Sequence, residues 1–540
     1  MTFRILIADE IHEDGLSILM ASPVLELDIK PGMGKDTLNG CIASYDGIVV
    51  GESTELRGDI FELAPRLRVI AKAGADLDNI DLQRATRRGV IVMNAPSSHV
   101  VSSGENTIAL LTSICRHIPA AVESMKRGKW EKKRFQGREV AGKILGVVGF
   151  GRVGAIVARY ASKGLRMNVL VYDGLVTQDK IRQQGFRSVT LNELFAKSDI
   201  ISLHVPLNPD TRHILNAKAF ASMKKGVIIV NTGRRGLIHE NALVSSLNSG
   251  TVAGAALDVH SEVHVKDSEL FDHPKVICTP DLSMATEEAH ANVAKSIAES
   301  VRDFFEKGTL GNTVNVPVAD QAIRTRIAPY ADMARRLGMF VAGLFVGDVA
   351  RIEVVYRGEI LNWDLTPLTT SVLLGFLQVF KGSDVNVVNA NFVAEECGIK
   401  VHETASKELI EGRPSITVEV FSDEKPLIRV EGVLIRRFGE EPRIIGINEF
   451  VTEAVPAGPM LMVKNMDIPG MIAGVSGILA RRQVNVAQMN LSRDCAGGTA
   501  ISIINLDSPA DDSTLEAIRN IEGILSVHQI IIDDLPDSDA

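Results

Sequence analysis

The stretch GVVGFGRVG sets Gly149, Gly151 and Gly154 in GxGxxG spacing between an apolar run and a helical pattern, with Arg152 and Val153 inside it. Glycines so placed permit a tight turn, close approach of backbone to a pyrophosphate, and close packing of a helix whose first amides face the anion. Asp173 ends the next apolar run. A carboxylate there accepts hydrogen bonds from ribose hydroxyls and repels a 2′-phosphate, so the pattern predicts NAD rather than NADP. A vestigial turn is the plainer alternative. Two further stretches carry groups able to move protons. ICTPDLSMAT reads as a strand emptying into a loop, and its Asp281 works as an acid only if burial or a like charge lifts its pKa several units above about 3.9. VHSEVH alternates His260, Glu262 and His264, which fits solvated loop residues, a catalytic substitute or a metal site. No convincing further ligand accompanies them, so no metal is expected.

Such groups need strands and helices to hold them. From Phe3, β-branched runs (RILIA, DGIVV, LRVIAKAG, GVIVMNA) alternate with helical patterns, the signature of a parallel sheet with crossover helices. One long helical pattern from about Ser102 to Lys129 leads into KILGVVGFGRVG, where a second sheet begins and runs on through DIISLHVPL, KGVIIVNTG, VAGAALDV and VICTP. The fold class is therefore α/β, with two Rossmann-like or flavodoxin-like parallel-sheet units up to about residue 318. From about Pro317, helical patterns mix with antiparallel-looking strands, predicting an α+β domain that ends near Ala457. The rest reads strand, helix, strand, strand, helix, strand, a ferredoxin-like unit, and the tail DDLPDSDA reads as disordered.

The chain of 540 residues is too long for one core, and 45% apolar with 23% charged residues is ordinary globular composition. A net charge of −9 argues against a nucleic-acid surface. The start MTFRILIADEIHEDG lacks the pattern of a signal peptide, and apolar runs are broken well short of a membrane span, so a cytoplasmic location is expected. Cys41, Cys115, Cys278, Cys397 and Cys495 are scattered without CxxC spacing and read as buried reduced thiols.

Taken in order, DLDNIDLQRATRRGVIVMNAP, the glycine-rich stretch, SLHVPLNPDTRHILN, KKGVIIVNTGR, VAGAALDV and CTPDLSMATEEA resemble the D-2-hydroxyacid dehydrogenases. With two trailing domains the resemblance narrows to the long-form D-3-phosphoglycerate dehydrogenases of serine biosynthesis. It implies a discontinuous substrate domain of residues 1–98 plus 287–318, a NAD-binding domain of residues 99–286, an intervening regulatory domain of residues 319–457 and an ACT domain of residues 458–540. It also implies nicotinamide-facing roles for His204, Val205, Pro206, Thr232, Gly233 and Asp258.

In that family an arginine binds the substrate, and a histidine held by a glutamate exchanges the proton. The arginine position is filled by Arg234, but the glutamate falls on Val263 and the histidine on Asp281. In the substrate pocket, Gly51 and Glu52 stand where an arginine and a serine are usual, Lys72 replaces an arginine, and Asp76 replaces a glycine. Ser98 and Asn106 depart from a usual glycine and histidine. A doubly anionic substrate is expected to bind poorly among these carboxylates. The expected function is a family member that binds NAD with impaired or no oxidation of 3-phosphoglycerate and a regulatory role; an active dehydrogenase, on this or another 2-hydroxy acid, is the alternative. The ACT resemblance implies an amino-acid ligand near Asn465, Asp467 and Asn485. Expected partners are small-molecule ligands, further copies of the chain, and an active paralogue, with neither nucleic acid nor membrane.

Overall fold

Short Val, Ile and Leu runs buried on both faces make the first two sheets parallel, since only crossover helices can cover both sides. The computed structural model describes residues 2–260, 268–317, 321–345, 347–409, 412–422, 426–436 and 440–533. The first sheet consists of β1 (Phe3–Ile7), β2 (Leu25–Ile29), β3 (Gly47–Val50), β4 (Val69–Lys72) and β5 (Ile91–Met93), in the order β2-β1-β3-β4-β5. The helix Glu287–Lys307 returns to this sheet and buries Val293, Ile297, Val301, Phe304 and Phe305 against Ile5, Ile7 and Val49. Its start is set by the Thr286 hydroxyl, which accepts from the Ala289 amide at 3.1 Å, and its end by Gly308 at φ 65°.

The second sheet contains β6 (Ile144–Val148), β7 (Asn168–Tyr172), β8 (Arg187–Ser188), β9 (Ile200–Leu203), β10 (Val227–Asn231), β11 (Val252–Leu257) and β12 (Val276–Cys278). Its order, β12-β11-β10-β9-β6-β7-β8, reverses between β6 and β9. Ligands of such sheets sit beyond the carboxyl ends of the strands at that reversal. The long helix expected over 102–129 is instead two, Val100–Arg116 and Ile118–Lys126, broken at His117 with φ 53°. Pro119 has no N–H to give the Cys115 carbonyl four residues before it and so starts a new helix; that carbonyl accepts from the Arg138 amide at 2.9 Å instead.

The third sheet, β13 (Arg351–Arg357) to β18 (Phe450–Ala454), is antiparallel except for a parallel pair of β13 with β14 (Lys400–Ser406). The last unit has β19 (Gly458–Met466), β20 (Val486–Arg493), β21 (Thr499–Leu506) and β22 (Ile524–Ile532) in the order β20-β21-β19-β22, all antiparallel, with two helices: a ferredoxin-like fold. Among the described residues no helix is long and apolar enough to cross a membrane. Cys115 is buried, but Cys397 and Cys495 are exposed, against the expectation of buried thiols throughout. Thiols held at the rims of the two small domains have no core to enter. Burial pushes Cys115 up to about 11 and Cys278 up to about 12, so neither is a thiolate at neutral pH.

Candidate active-site cleft

The turn after β6 lies at the strand-order reversal and has the shape that its glycines predict. Gly149 takes φ 100°, and a Cβ there would lie 2.6 Å from the His204 carbonyl oxygen. A Cβ on Gly154 would collide with the Gly149 carbonyl oxygen. Around a Cβ on Gly151 nothing lies within 4 Å, and the helix Arg152–Arg159 starts there with no side chain capping its amides. Open space in front of unsatisfied helix amides is what a pyrophosphate requires, so these residues fit the dinucleotide. Val153 packs on the core while Arg152 is exposed. Asp173 follows β7 and accepts from the Phe150 amide at 2.6 Å, while its other oxygen takes the Leu175 and Val176 amides. The carboxylate therefore braces the glycine turn.

His204, Val205 and Pro206 follow β9 and wall the turn. The His204 ring nitrogen meets the Ser202 hydroxyl at 2.8 Å, and burial pushes its pKa down to about 4, so it is neutral at physiological pH. Thr232 and Gly233 follow β10. Thr232 shares a hydrogen bond with Thr107 at 2.6 Å, and Gly233 passes so close to Leu203 that a Cβ would lie 2.8 Å from its carbonyl oxygen.

Asp258, at the end of β11, is 0% exposed. One of its oxygens accepts from the Thr279 hydroxyl at 2.5 Å and the Leu282 amide at 2.9 Å. The other accepts from Asn106, the Ser283 amide and the Ser283 hydroxyl at 2.9, 3.0 and 2.7 Å. Those donors saturate a carboxylate, so Asp258 organises the 279–283 loop, and Asn106, a departure from the family pattern, is one of the groups it holds. The Asp258 carbonyl also takes the Asp281 amide at 2.9 Å. Asp281 itself adopts φ 54°, ψ 54°, a left-handed conformation that Asp tolerates better than most residues. Burial first, then Asp258, Glu52 and Asp76, raise its pKa, against the opposing pull of Arg235. Glu52 and Asp76 therefore lie close enough for their charges to act on Asp281.

The opposite wall follows β3 and β4. Lys72, expected as a cation in this cleft, is 1% exposed; it donates to the Gly51 carbonyl at 2.8 Å and lies 3.8 Å from Asp76. Burial of its stem in β4 makes it a prop for the Gly51 turn, while its ammonium stays beside Asp76. Asp76 is not among the described residues with positive φ, so its backbone does not call for glycine. Asp9, which sequence reasoning passed over, accepts from the Gly51 amide at 2.5 Å and the Thr54 amide at 3.1 Å and so fixes the turn bearing Glu52. Its only signal is an acid directly after the first apolar run.

Arg234 is exposed beyond β10, and among the described residues its side chain donates to the neighbouring Gly233 carbonyl at 2.9 Å. Val263, Glu262 and His264 lie outside the described residues, as does the tail from 534. His260 is described: its ring nitrogen meets the Thr279 carbonyl at 2.9 Å and its ring packs edge-on to Phe271, so it is a strut of the loop rather than a solvated residue. Among the described residues no three potential ligands gather around a metal position. His99, at the cap of the helix Val100–Arg116, was missed; Arg234, Asp76 and Arg152 all act on its charge. The signal was present, a histidine at the end of NAPSSH just before a helical pattern.

In the last unit, Asn465 is 4% exposed and donates to the Met466 carbonyl at 2.7 Å. Asp467 accepts from Gly497 at 3.0 Å and Arg493 at 3.1 Å, and these two hold its carboxyl below the usual range. Asn485 donates to Asp507 at 2.7 Å. Asp467 neighbours the start of β21 and Asn485 its end, about 30 Å apart at strand spacing, so one chain does not bring them together.

Comparison with known proteins agrees with this arrangement. The profile of the D-isomer specific 2-hydroxyacid dehydrogenase NAD-binding domain matches residues 108–283, that of the D-3-phosphoglycerate dehydrogenase intervening domain residues 326–448, and that of the ACT domain residues 460–523. The D-3-phosphoglycerate dehydrogenase of Bacillus subtilis is 35% identical over 535 residues, covering 99% of this chain and 100% of its own. That of Methanocaldococcus jannaschii is 35% identical over 525 residues, 97% of this chain and 99% of its own. Among solved structures, D-lactate dehydrogenase from Aquifex aeolicus, complexed with NAD and lactic acid, is 26% identical, with 58% of this chain and 100% of its own covered at a TM-score of 0.51. With relatives of this kind along nearly its whole length, and the NAD-binding domain of their fold behind its glycine turn, the chain belongs to the D-3-phosphoglycerate dehydrogenase family.

Proposed function

We propose that this chain binds NAD at the turn of Gly149, Gly151 and Gly154 and oxidises 3-phosphoglycerate poorly, serving chiefly as a ligand-responsive member of its family. NAD, when bound, supplies the hydride acceptor. The observation that carries the reading is the company of Asp281. Where the family resemblance puts a proton-exchanging histidine, this chain has a carboxyl whose pKa is raised by burial first, then by Asp258, Glu52 and Asp76. A phosphate and a carboxylate on one substrate would both meet that lining, with Arg234 and Arg235 as its counter-charges and Lys72 committed beneath the floor. The first sheet with the helix Glu287–Lys307 forms the substrate side in this reading. The separation of Asp467 from Asn485 supports an amino-acid site completed by a second copy of the chain.

Titration with NADH, followed by assay of 3-phosphoglycerate oxidation, tests the reading. Binding with turnover at least ~100-fold below that of ordinary family members, the contribution of one general acid-base group, is expected. Turnover at their rate, abolished by Arg234→Ala, overturns it.

A second reading has its own support. Arg234 remains exposed for a carboxylate, and His99 supplies an imidazole near it. Both suit NAD-dependent oxidation of a 2-hydroxy acid less negative than a phosphoester.

A further inference from the structure

The helix Val100–Arg116 begins between the two walls of the cleft, and His99 is its first, half-inserted residue. Upstream, the Ala95 amide donates to the Gly74 carbonyl and the Asn94 side chain to the Ala75 carbonyl, each at 2.8 Å. These bonds tie the approach to His99 onto the loop that carries Asp76. Downstream by one helical turn, the Ser102 and Ser103 hydroxyls donate to the Ser283 carbonyl at 2.8 and 3.3 Å. That ties the helix onto the loop that carries Asp281. His99 is therefore held between the Asp76 and Asp281 loops by hydrogen bonds on either side of it.

The ring is half-buried, and its Nδ1 is buried without a partner in hydrogen-bond geometry. A buried polar atom left unpaired calls for a reason, and functional sites are where such atoms collect. The nearby Ala95 carbonyl favours a proton on the ring without hydrogen-bond alignment. The charged groups acting on it come from three other elements: Arg234 after β10, Asp76 after β4 and Arg152 at the glycine turn. Asp281 responds to the same Asp76, together with Glu52 and Arg235. Burial, and then Arg234, hold the imidazole below its usual pKa, so it stands neutral at pH 7.

We propose that His99 is the proton acceptor of this cleft, taking over from the helix side the task that the 279–286 loop lacks a histidine to perform. The assignment rests on the second reading above. With the ring proton on Nδ1, the Nε2 lone pair receives the proton of the substrate hydroxyl. As that O–H bond breaks, the C2–H bond breaks with its electron pair passing to the oxidised nicotinamide, and the 2-hydroxy acid becomes a 2-keto acid. Arg234 holds the substrate carboxylate, and Asp76 steadies the imidazolium.

Oxamate, a 2-keto acid isostere that cannot be reduced, gives a readout that does not depend on turnover. Full-length protein saturated with NADH is titrated with oxamate by calorimetry in buffers of different ionisation enthalpy, from pH 5.5 to 8.5. His99 must gain a proton to donate to the oxamate carbonyl, so uptake of about one proton per oxamate at pH 7.5 is expected. Affinity should fall about tenfold per pH unit above the imidazole pKa. His99→Gln should abolish the uptake and flatten the pH dependence while still binding NADH, which certifies its fold. Asp281→Asn should keep both. Uptake that survives in His99→Gln but vanishes in Asp281→Asn overturns the assignment and gives the role to Asp281. Failure of oxamate to bind the wild-type NADH complex overturns the second reading itself.

Discussion

The Lys72 ammonium lies 2.8 Å from the Gly51 carbonyl, which also accepts from Asn79 at 2.9 Å. The positive charge of this wall is thus spent on its own floor. Lys72→Met keeps the stem, removes one of two donors to Gly51 and strips Asp76 of its nearest cation. A loss of about 1–3 kcal/mol is expected, read from the first transition in a urea titration, with NADH affinity unchanged.

The two inner glycines of the dinucleotide turn should fail differently. Gly154→Ala drives a methyl into the Gly149 carbonyl, so both stability and NADH binding should fall. Gly151→Ala adds its methyl to open space. The free protein should melt as the wild type does, while NADH binds at least about tenfold more weakly because the methyl occupies the pyrophosphate's approach. Calorimetric melting beside fluorescence titration separates the two cases.

His204 gives the fold a specific weakness to acid. Its folded pKa of about 4 lies below the unfolded value of about 6.5, so as pH falls the unfolded chain takes the proton first. Its contribution is complete above pH 6.5 and lost between there and pH 4, on the order of 3 kcal/mol in all. His204→Asn should show a shallower loss of stability over that window in equilibrium unfolding.

Asp281 has the opposite sign. A raised carboxyl pKa favours the protonated form in the folded state, so stability is gained at low pH and lost as pH rises through the folded value. Asp281→Asn keeps the left-handed backbone acceptable and removes the charge. It should stabilise at pH 7 but not at pH 3.5, by no more than about 0.5–1 kcal/mol, because the residue is only partly withdrawn from water and solvent screens its charge. Melting temperatures at the two pH values check this.

Restoring the family's pair with Asp281→His and Val263→Glu tests how far the carboxylate lining matters. Little 3-phosphoglycerate oxidation is expected until Glu52→Gln and Asp76→Asn are added. Strong oxidation from the first two changes alone would show that Glu52 and Asp76 do little damage.

What the sequence made legible was whatever acts locally. The glycine turn and the parallel sheets follow from backbone freedom and apolar runs, and Gly149, Gly151 and Gly154 behave as their spacing predicts. Arg234 and Asp281 were found by position, but their states depend on neighbours from other elements. Lys72 reads as a pocket cation until its side chain is seen to run under Gly51. His99 reads as a loop residue until two sets of hydrogen bonds fix it between walls more than 180 residues apart in the chain. The helix break at His117 was written in Pro119 and should have been read there.

The chain crosses between the two parallel sheets twice, after β5 and again before the helix Glu287–Lys307. At these crossings Ser102 and Ser103 are stapled to the Ser283 carbonyl. Two straps fastened side by side behave as the pin of a door. Sliding one sheet past the other would tear the staple, whereas swinging about it leaves the bond intact. Rotation about Ser283 is the motion these bonds leave free, and it would part the wall that carries Glu52 from the loop that carries Asp281.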